Sequence, residues 1–194
     1  MFNKKEIIDF YEEEGRRCRQ DPLYLTVKHA KKRWQTIQGL LNPIIKNAKV
    51  LDVGCFNGFL SEQLISMGAH FVFAIDVAGS KIFSCKPHHK IIYAKMDWDD
   101  MMFPSRTFDV VLLSECLEHA ISPRILLLNC VDFGRNVVGT IPLNERKQEN
   151  PLTKRGNGHL HTFTKESCLD MVKNFNLISS IVDETHFYFH INNE

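Results

Sequence analysis

Residues 50–60 read VLDVGCFNGFL, and this stretch decides the fold. The run of branched apolar residues that begins at Val50 is typical of a short buried strand, and it breaks at Gly54. From Gly58 the pattern becomes helical, so the stretch predicts a strand, a glycine turn and a helix, which together begin a nucleotide-binding βαβ unit. Glycine at these two positions lets the backbone pass close to a ligand, because glycine has no Cβ.

A second apolar run, residues 71–75, ends at Asp76. An acid at the tip of the second strand, about 20 residues after the turn, is placed to accept hydrogen bonds from the hydroxyl pair of a ribose. The turn and this acid together predict a site for a nucleoside-containing cofactor.

The pattern Asp52-Val-Gly54-Cys-Phe56-Asn-Gly58 resembles the first motif of the class I S-adenosylmethionine (SAM) methyltransferases, acid-x-Gly-x-Gly-x-Gly. Phe56 replaces the middle glycine, so either the ligand tolerates this side chain or the side chain points away. The same replacement argues against the Gly-x-Gly-x-x-Gly pattern of dinucleotide-binding proteins. A P-loop is excluded because no Gly-Lys-Ser/Thr follows.

The resemblance covers roughly residues 45–191 and implies SAM as the cofactor. In this family an acid after the third strand bonds the adenine amino group, and the next residue faces the ring, a position that Asp97 and Trp98 match. The cofactor-binding residues that we predict are Asp52, Gly54, Cys55, Phe56, Gly58, Asp76, Val77, Asp97, Trp98 and Ser114.

From residue 49 onward the predicted strands and helices alternate, which is typical of an α/β fold with a parallel sheet covered on both faces. The predicted strands are 49–53, 71–75, 90–94, 108–113, 136–141, 177–182 and 186–191, and the helices are 58–67, 78–85, 123–131 and 164–175. The resemblance implies a Rossmann-like, seven-stranded, mostly parallel sheet with an antiparallel last strand. We therefore predict a SAM-binding methyltransferase domain over 46–194 and an N-terminal helical cap over 1–45, with helices over 3–20 and 23–39 that break at Asp21-Pro22.

The overall composition favours a cytoplasmic protein with no membrane or nucleic-acid partner. The net charge is +1, so no global field attracts a polyanion, and no apolar stretch is long enough to span a bilayer. The N-terminus has no hydrophobic signal segment. The six cysteines include no Cys-x-x-Cys pair, which favours reduced thiols over a zinc site.

Two basic segments have open interpretations. Residues 1–49 hold 11 Lys and Arg against 6 Asp and Glu, and Lys28, Lys31 and Lys32 share one helix face. This face is either a solvated surface or a basic lid over an acidic substrate or nucleic acid. The loop 142–162 carries four more basic residues and is either a substrate lid or a solvent-exposed disordered segment.

Carboxylates and imidazoles follow the predicted fourth strand. Glu115, Glu118 and His119 have the spacing i, i+3, i+4 that crowds one helix face, and the long loop adds His159 and His161. Such a group is suited to a hard or borderline divalent cation. The predicted metal ligands are Glu115, Glu118, His119 and His159, while His119 and His161 are the candidate catalytic residues, since a histidine near neutral pKa can act as a general base.

Glu-x-x-Glu-His with a distal histidine resembles two methyltransferase groups. These are the ubiquinone-biosynthesis O-methyltransferases and the small-RNA 3′-terminal 2′-O-methyltransferases, in which such residues hold a metal. A Glu-His pair after this strand also resembles small-molecule methyltransferases that need no metal. Both interpretations stay open, and the metal-free one is preferred.

The sequence therefore predicts a SAM-dependent methyltransferase that acts on a small molecule, on an oxygen atom. A metal-assisted RNA 2′-O-methyltransferase is the alternative within enzymes, although the charge and the lack of an RNA-binding domain argue against it. A non-catalytic SAM-binding protein and an NAD-dependent oxidoreductase are the other classes considered. The acceptor and the oligomeric state are not predicted.

Overall fold

The structure is a computed structural model of the chain, and it describes residues 3–17, 28–145, 150–153 and 158–193. Seven strands form one sheet in the order β3-β2-β1-β4-β5-β7-β6. The strands are β1 (Lys49–Val53), β2 (Phe71–Asp76), β3 (Ile91–Lys95), β4 (Phe108–Ser114), β5 (Gly134–Pro142), β6 (Leu177–Val182) and β7 (His186–Asn192).

Strands β1 to β5 run parallel, while β7 pairs antiparallel with both β5 and β6. This confirms the predicted seven-stranded sheet with an antiparallel last strand. Because β6 is antiparallel to β7, it runs parallel to β1–β5, so the carboxyl ends of these six strands and the amino end of β7 meet at one edge, and the chain order reverses between β1 and β4. In open α/β sheets ligands bind at this edge, which we call the carboxyl edge.

Six α-helices accompany the sheet in the described ranges. They are α1 (Lys4–Arg17), α2 (Lys28–Leu41), α3 (Phe59–Ser66), α4 (Gly79–Ile82), α5 (Pro123–Phe133) and α6 (Lys165–Val172), and short 3-10 helices form at Trp98–Asp100 and Leu117–His119. Helix α4 is a single turn, shorter than the predicted 78–85. The predicted break at Asp21-Pro22 and Cys18 lie outside the described residues.

Alternation along the buried strands separates two helical layers. Val110 and Leu112 of β4 pack on the face covered by α2 and α3. Val111 and Leu113 pack on the opposite face, which α5 and α6 cover. The β4 segment is buried on both sides, which explains its continuous apolar run.

Helix α1 belongs to neither layer. Ile7 and Tyr11 of α1 are buried in a third small cluster against Val77 and Ala78, which directly follow β2. Helix α1 therefore lies across the carboxyl edge, whereas α2 packs into the main core through residues such as Trp34. Of the two helices that the structure describes in the predicted cap 1–45, α1 is the one that stands outside the layers of the sheet.

Helix α6 starts where the sequence predicts. Thr164 caps it by accepting a hydrogen bond from the Ser167 N–H at 3.2 Å, and the Ser167 hydroxyl oxygen accepts in return from the Thr164 N–H at 2.9 Å. No helix in the described part of the chain has the length and apolar character needed to cross a membrane.

Candidate functional site

The glycine turn after β1 uses left-handed backbone at three positions. Gly54 and Gly58 have φ values of 73° and 77°, and Phe56 between them has φ of 52°. A Cβ on Gly54 would lie 2.7 Å from the Cys116 Sγ, so both the backbone angle and the neighbouring thiol require glycine. Phe56 adopts a conformation that is uncommon for a residue with a side chain.

The Phe56 side chain packs under a cation. The Lys81 Nζ lies 4.2 Å from the centre of the Phe56 ring, a distance at which the ring attracts the ammonium group. Of the two options that the sequence left open, the structure shows a side chain that is turned toward α4 and held there.

Asp76 closes the turn from the end of β2. One carboxylate oxygen accepts a hydrogen bond from the Phe56 N–H and the other from the Ala78 N–H, each at 2.9 Å. Burial raises the pKa of Asp76, and the nearby Lys81 ammonium opposes that rise. Each oxygen keeps a lone pair that can accept from a ligand hydroxyl.

Asp52 lies beneath the turn. Its side chain is 1% exposed and accepts a 2.5 Å hydrogen bond from the Ser61 hydroxyl on α3. Burial raises its pKa to about 6. In this structure Asp52 supports the turn through Ser61, and its role in cofactor binding stays a prediction.

A shallow, open pocket lies beside Val77, the residue that follows Asp76. Its walls include Val77, Asp97 and Trp98, three of the predicted cofactor residues. Helix α1 adds Lys4, Ile7 and Ile8. The Asp97 carboxylate accepts from the Asp99 N–H at 2.9 Å and pairs with the Lys4 Nζ at 3.2 Å.

Two further predicted cofactor residues, Cys55 and Ser114, are largely covered. Cys55 is buried, and its backbone N–H donates to the Ile75 carbonyl at 2.8 Å. Ser114 is 8% exposed at the end of β4, and its hydroxyl has no hydrogen-bond partner among the described residues. The Ser114 hydroxyl is therefore a polar group at the carboxyl edge that a ligand can satisfy.

Three of the four predicted metal ligands come together at the end of β4. One potential ligand atom from each of Glu118, His119 and His159 lies within 4.8 Å of the others. Glu118 is fully buried, and neither of its carboxylate oxygens has a hydrogen-bond partner in the described structure. Burial, followed by the nearby charge of Glu115, raises the pKa of Glu118 well above its usual range. We call Glu118, His119 and His159 the Glu118 cluster.

His119 is held by its Nδ1 side. Nδ1 lies 2.6 Å from the Tyr11 hydroxyl oxygen and 3.2 Å from the Gly158 carbonyl oxygen, while Nε2 lies 3.7 Å from a Glu118 oxygen. Burial, with the neighbouring His159, lowers the pKa of His119 to about 3. The His159 Nδ1 contacts the Glu145 carboxylate.

Glu115 is separated from the Glu118 cluster, which corrects its prediction as a metal ligand. It has a left-handed φ of 57° directly after β4, and its carboxylate contacts α2 and β7 instead. One oxygen accepts from Arg33 at 2.8 Å and lies 3.3 Å from the His186 Nε2, while the other accepts from the Thr140 hydroxyl at 2.9 Å. Burial alone would raise the pKa of Glu115, but these partners lower it to about 2.

His161 forms hydrogen bonds with backbone groups around the Glu118 cluster. Its Nε2 lies 2.9 Å from the Ala120 carbonyl, and its backbone N–H donates to the Glu118 carbonyl at 3.1 Å. The ring therefore holds its hydrogen on Nε2, and its catalytic role stays a prediction. The basic residues of the predicted lid, 146–147 and 154–155, lie outside the described residues.

The sequence motifs did not indicate the contribution of α1. Glu12 accepts hydrogen bonds from the N–H groups of Gly79 and Ser80 at 2.9 and 3.0 Å and pairs with Lys95 at 2.6 Å. The signal that could have indicated it is the spacing of Ile7 and Tyr11, which places both on one helix face.

Part of the chain is similar in sequence to known methyltransferases. Residues 50–131 match a family model described as a methyltransferase domain. The chain is 33% identical over 106 residues to the ubiquinone biosynthesis O-methyltransferase of Coxiella burnetii, and the match covers 47% of this chain and 45% of the relative. It is 38% identical over 93 residues to the protein of the same name from Pelagibacter ubique, covering 46% and 35%.

Solved structures share the fold over nearly the whole chain. The N-methyltransferase NodS from Bradyrhizobium japonicum, in complex with S-adenosyl-L-homocysteine, has a TM-score of 0.71 at 18% identity and covers 94% of this chain and 97% of its own. Magnesium protoporphyrin IX methyltransferase from Synechocystis, with bound S-adenosyl-L-homocysteine, has a TM-score of 0.73 at 12% identity and covers 99% and 100%.

The match over residues 50–131, the sheet order and the glycine turn after β1 all agree with a class I methyltransferase domain. The matched region spans about half the length of the curated relatives.

Proposed function

We propose that this methyltransferase domain binds SAM at the carboxyl edge and transfers its methyl group to an oxygen atom of a small molecule. The observation that carries the proposal is the pair formed by the glycine turn and Asp76, whose carboxylate is fixed by the Phe56 and Ala78 N–H groups. Asp76 would bind the ribose diol, because two hydroxyl donors to one carboxylate form strong charge-assisted bonds.

The pocket beside Val77 would hold the adenine. Asp97 would accept a hydrogen bond from the adenine amino group, and Val77 and Trp98 would offer apolar walls to the ring. Methyl transfer is an in-line displacement with a neutral leaving group, so the protein must mainly align the donor and the acceptor. Holding the nucleoside at β2 and β3 leaves the methyl group to face the β4 side of the edge, where the histidines lie.

Transfer to oxygen is supported by the chemistry at the β4 side. An acceptor hydroxyl must lose a proton, and the Glu118 cluster supplies imidazoles close to this position. Burial lowers the pKa of His119 to about 3, so its imidazole is neutral at ordinary pH, and so low a pKa makes it a weak general base. The two curated relatives named above are O-methyltransferases by their names.

A divalent cation fits the same cluster. A buried carboxylate with two unsatisfied oxygens is costly unless it is protonated or binds a cation, and two imidazoles are placed beside it. Glu118, His119 and His159 would hold the ion. When bound, a divalent cation would orient the acceptor hydroxyl and lower its pKa.

Titration calorimetry with SAM and with NAD tests the cofactor. We expect SAM to bind and NAD to give no heat; the reverse result would favour an oxidoreductase. A methyl-release assay with phenolic and other hydroxylated acceptors then tests activity. SAM binding with no transfer to any acceptor would favour a non-catalytic SAM-binding protein.

The cation is tested by chelation and by one pair of variants. Mn²⁺ should restore activity after chelator treatment, and Glu118→Gln should lose this response while retaining SAM affinity. Glu166→Gln, which changes an exposed carboxylate in the first turn of α6, is the matched control. Full activity in chelator would remove the cation from the mechanism and leave the methyl transfer intact.

An RNA acceptor is the second candidate, since the loop histidines resemble that group of enzymes. Methyl transfer to a short RNA in the same assay would favour it.

The five cysteines in the described ranges are free thiols, which supports a cytoplasmic location.

A further inference from the structure

Tyr11 of helix α1 contacts the histidine of the Glu118 cluster from outside the sheet. Its side chain is buried, its ring stands edge-on to the His119 ring, and its hydroxyl oxygen lies 2.6 Å from the His119 Nδ1. The same hydroxyl lies 3.0 Å from the Gly158 carbonyl oxygen. The motifs that indicate a methyltransferase lie elsewhere in the chain, from Asp52 onward, and do not include this tyrosine.

The hydrogens in this group can be counted. The Gly158 carbonyl accepts only, and it lies within 3.2 Å of the His119 Nδ1 and 3.0 Å of the Tyr11 hydroxyl. If Tyr11 donates to this carbonyl, its oxygen is free to accept from a hydrogen on Nδ1. The opposite arrangement would place two lone pairs, those of Nδ1 and the carbonyl, against each other and leave the carbonyl without a donor.

The Nε2 side of His119 agrees with this arrangement. The Glu118 oxygen is 3.7 Å from Nε2, too long for a hydrogen bond from an Nε2 hydrogen. With the hydrogen on Nδ1, the lone pair of Nε2 points into the Glu118 cluster. That atom is then able to accept a proton or bind a cation, because the hydrogen bond on one imidazole nitrogen sets the role of the other.

Tyr11 is placed by contacts that helix α1 makes with the cofactor side of the edge. Glu12 caps the Gly79 and Ser80 N–H groups, and Glu14 pairs with Lys81 at 3.3 Å. Close packing leaves little freedom, since a Cβ on Gly158 would lie 2.5 Å from the Tyr11 hydroxyl oxygen. Helix α1 therefore joins the loops after β2 and β3 to the histidine after β4.

We propose that Tyr11 is a positioning residue that holds His119 with its hydrogen on Nδ1 and its Nε2 lone pair directed into the Glu118 cluster. Docking of α1 over the cofactor side thereby completes the histidine centre. The inference rests on the proposed function for the use of Nε2, but the position of the hydrogen is measurable without cofactor, metal or acceptor.

Nitrogen-15 NMR of the protein labelled in its histidine rings tests the hydrogen position directly. The His119 signals are assigned from their absence in His119→Gln. In the wild-type protein we expect Nδ1 to be protonated and Nε2 to be unprotonated. In Tyr11→Phe, which keeps the ring and removes the oxygen, we expect the His119 nitrogen signals to shift, because the Nδ1 hydrogen is left with the Gly158 carbonyl at 3.2 Å as its acceptor.

Tyr188→Phe is the matched control, since it removes a tyrosine hydroxyl that donates to Asp183 at 3.1 Å without touching His119. It should leave the His119 signals unchanged. Gly158→Ala provides a second variant, because its Cβ displaces the Tyr11 hydroxyl without deleting it. It should also shift the His119 nitrogen signals.

Titration of each protein with Mn²⁺ alone gives the functional readout. Loss of an outer partner of a metal-bound histidine lowers metal affinity by about 10–100-fold, so Tyr11→Phe should show such a fall and Tyr188→Phe none. Wild-type His119 protonated on Nε2, or identical His119 signals in wild type and Tyr11→Phe, would overturn the proposal. Absence of Mn²⁺ binding in every protein, with the predicted tautomers observed, would contradict only the metal part of the proposed function.

Discussion

The two halves of the carboxyl edge are built in different ways. Around β1 and β2, backbone groups make the site: Gly54 and Gly58 provide left-handed turns, and Asp76 is held by two backbone N–H groups. After β4, side chains from distant segments make it, such as the pair between Glu115 and Arg33 from α2. A backbone-built site follows from local sequence, whereas a side-chain site depends on how remote elements pack.

The buried acids of the carboxyl edge also differ in the direction in which their pKa values are shifted. Burial raises the pKa of Asp52 to about 6, while Arg33 and His186 lower the pKa of Glu115 to about 2. A buried acid whose pKa is raised opposes folding when it ionises, and an acid paired with a cation favours it. Ionised Asp52 is therefore unfavourable in the cofactor half, and burial raises the pKa of Glu118 in the β4 half in the same direction, whereas the Glu115 group is already neutralised by its partners.

Gly54→Val should give the largest effect, because it tests whether the cofactor half depends on backbone shape. The valine would have to adopt φ near 73° and place its Cβ against the Cys116 Sγ. We expect SAM binding to be abolished and the free energy of unfolding to fall by about 2–4 kcal/mol, from backbone strain and overpacking together. Calorimetry with SAM and urea unfolding measure the two effects.

Gly39→Ala is the control for this substitution. Gly39 lies on α2, and an added Cβ there would have no neighbouring atom within 4 Å, so alanine should raise the free energy of unfolding by about 0.5–1 kcal/mol. Normal SAM binding by Gly54→Val would show that the turn is not the cofactor site.

The fold could be predicted closely because the spacing of apolar residues along the sequence indicates where strands and helices form. The bounds of β1 and β6 agree with those predicted, and the predicted Thr164 cap is present. Helix α4 was predicted too long at its carboxyl end, since the backbone beyond Ile82 continues in turns, and its start is capped by Glu12 from α1. The bond between Glu12 and Gly79 joins residues 67 positions apart, which no local pattern reports.

The sequence predicted those parts of the site that a single segment of the chain forms. It missed the contacts between residues from two distant segments. Gly54 and Asp76 follow from the motif. The separation of Glu115 from Glu118 could not be predicted, since it depends on His186, which lies 71 positions away. The same holds for Tyr11 and His119, which are 108 positions apart.

Asp52→Asn tests the unfavourable charge of the cofactor half. The pKa of Asp52 rises from 3.8 to about 6 on folding, so between these values the folded protein binds more protons than the unfolded one and stability falls as the pH rises. The free energy of unfolding of the wild type, minus that of Asp52→Asn, should decrease by about 2 kcal/mol from pH 4 to pH 6. Urea unfolding of both proteins across this range measures it, and a constant difference would contradict the prediction.

Asp76→Ala tests the hydrogen bonds that the Asp76 carboxylate would make to the cofactor. Loss of hydrogen bonds to a charged group should weaken SAM binding by about 1.5–3 kcal/mol, measured by calorimetry. Asp109→Ala is the control, because Asp109 also accepts a backbone N–H, that of Lys49 at 2.8 Å, but at the opposite end of β1. Equal SAM affinity in Asp76→Ala and the wild type would remove the ribose assignment.

Glu115→Gln should give the smallest effect on binding, and it decides whether the β4 half contains one group of acids or two. Glutamine keeps an acceptor for Thr140 but loses the charge that faces Arg33, so we expect the free energy of unfolding to fall by about 1–2 kcal/mol at neutral pH. Because the pKa of Glu115 is lowered from 4.5 to about 2, this difference should be complete above about pH 4.5 and vanish as the pH falls toward 2. Mn²⁺ affinity should stay at the wild-type value in Glu115→Gln and fall in Glu118→Gln. A loss of Mn²⁺ affinity in both variants would mean that Glu115 leaves Arg33 to join the Glu118 cluster when the cation binds, and the two halves of the edge would then be divided at a different place.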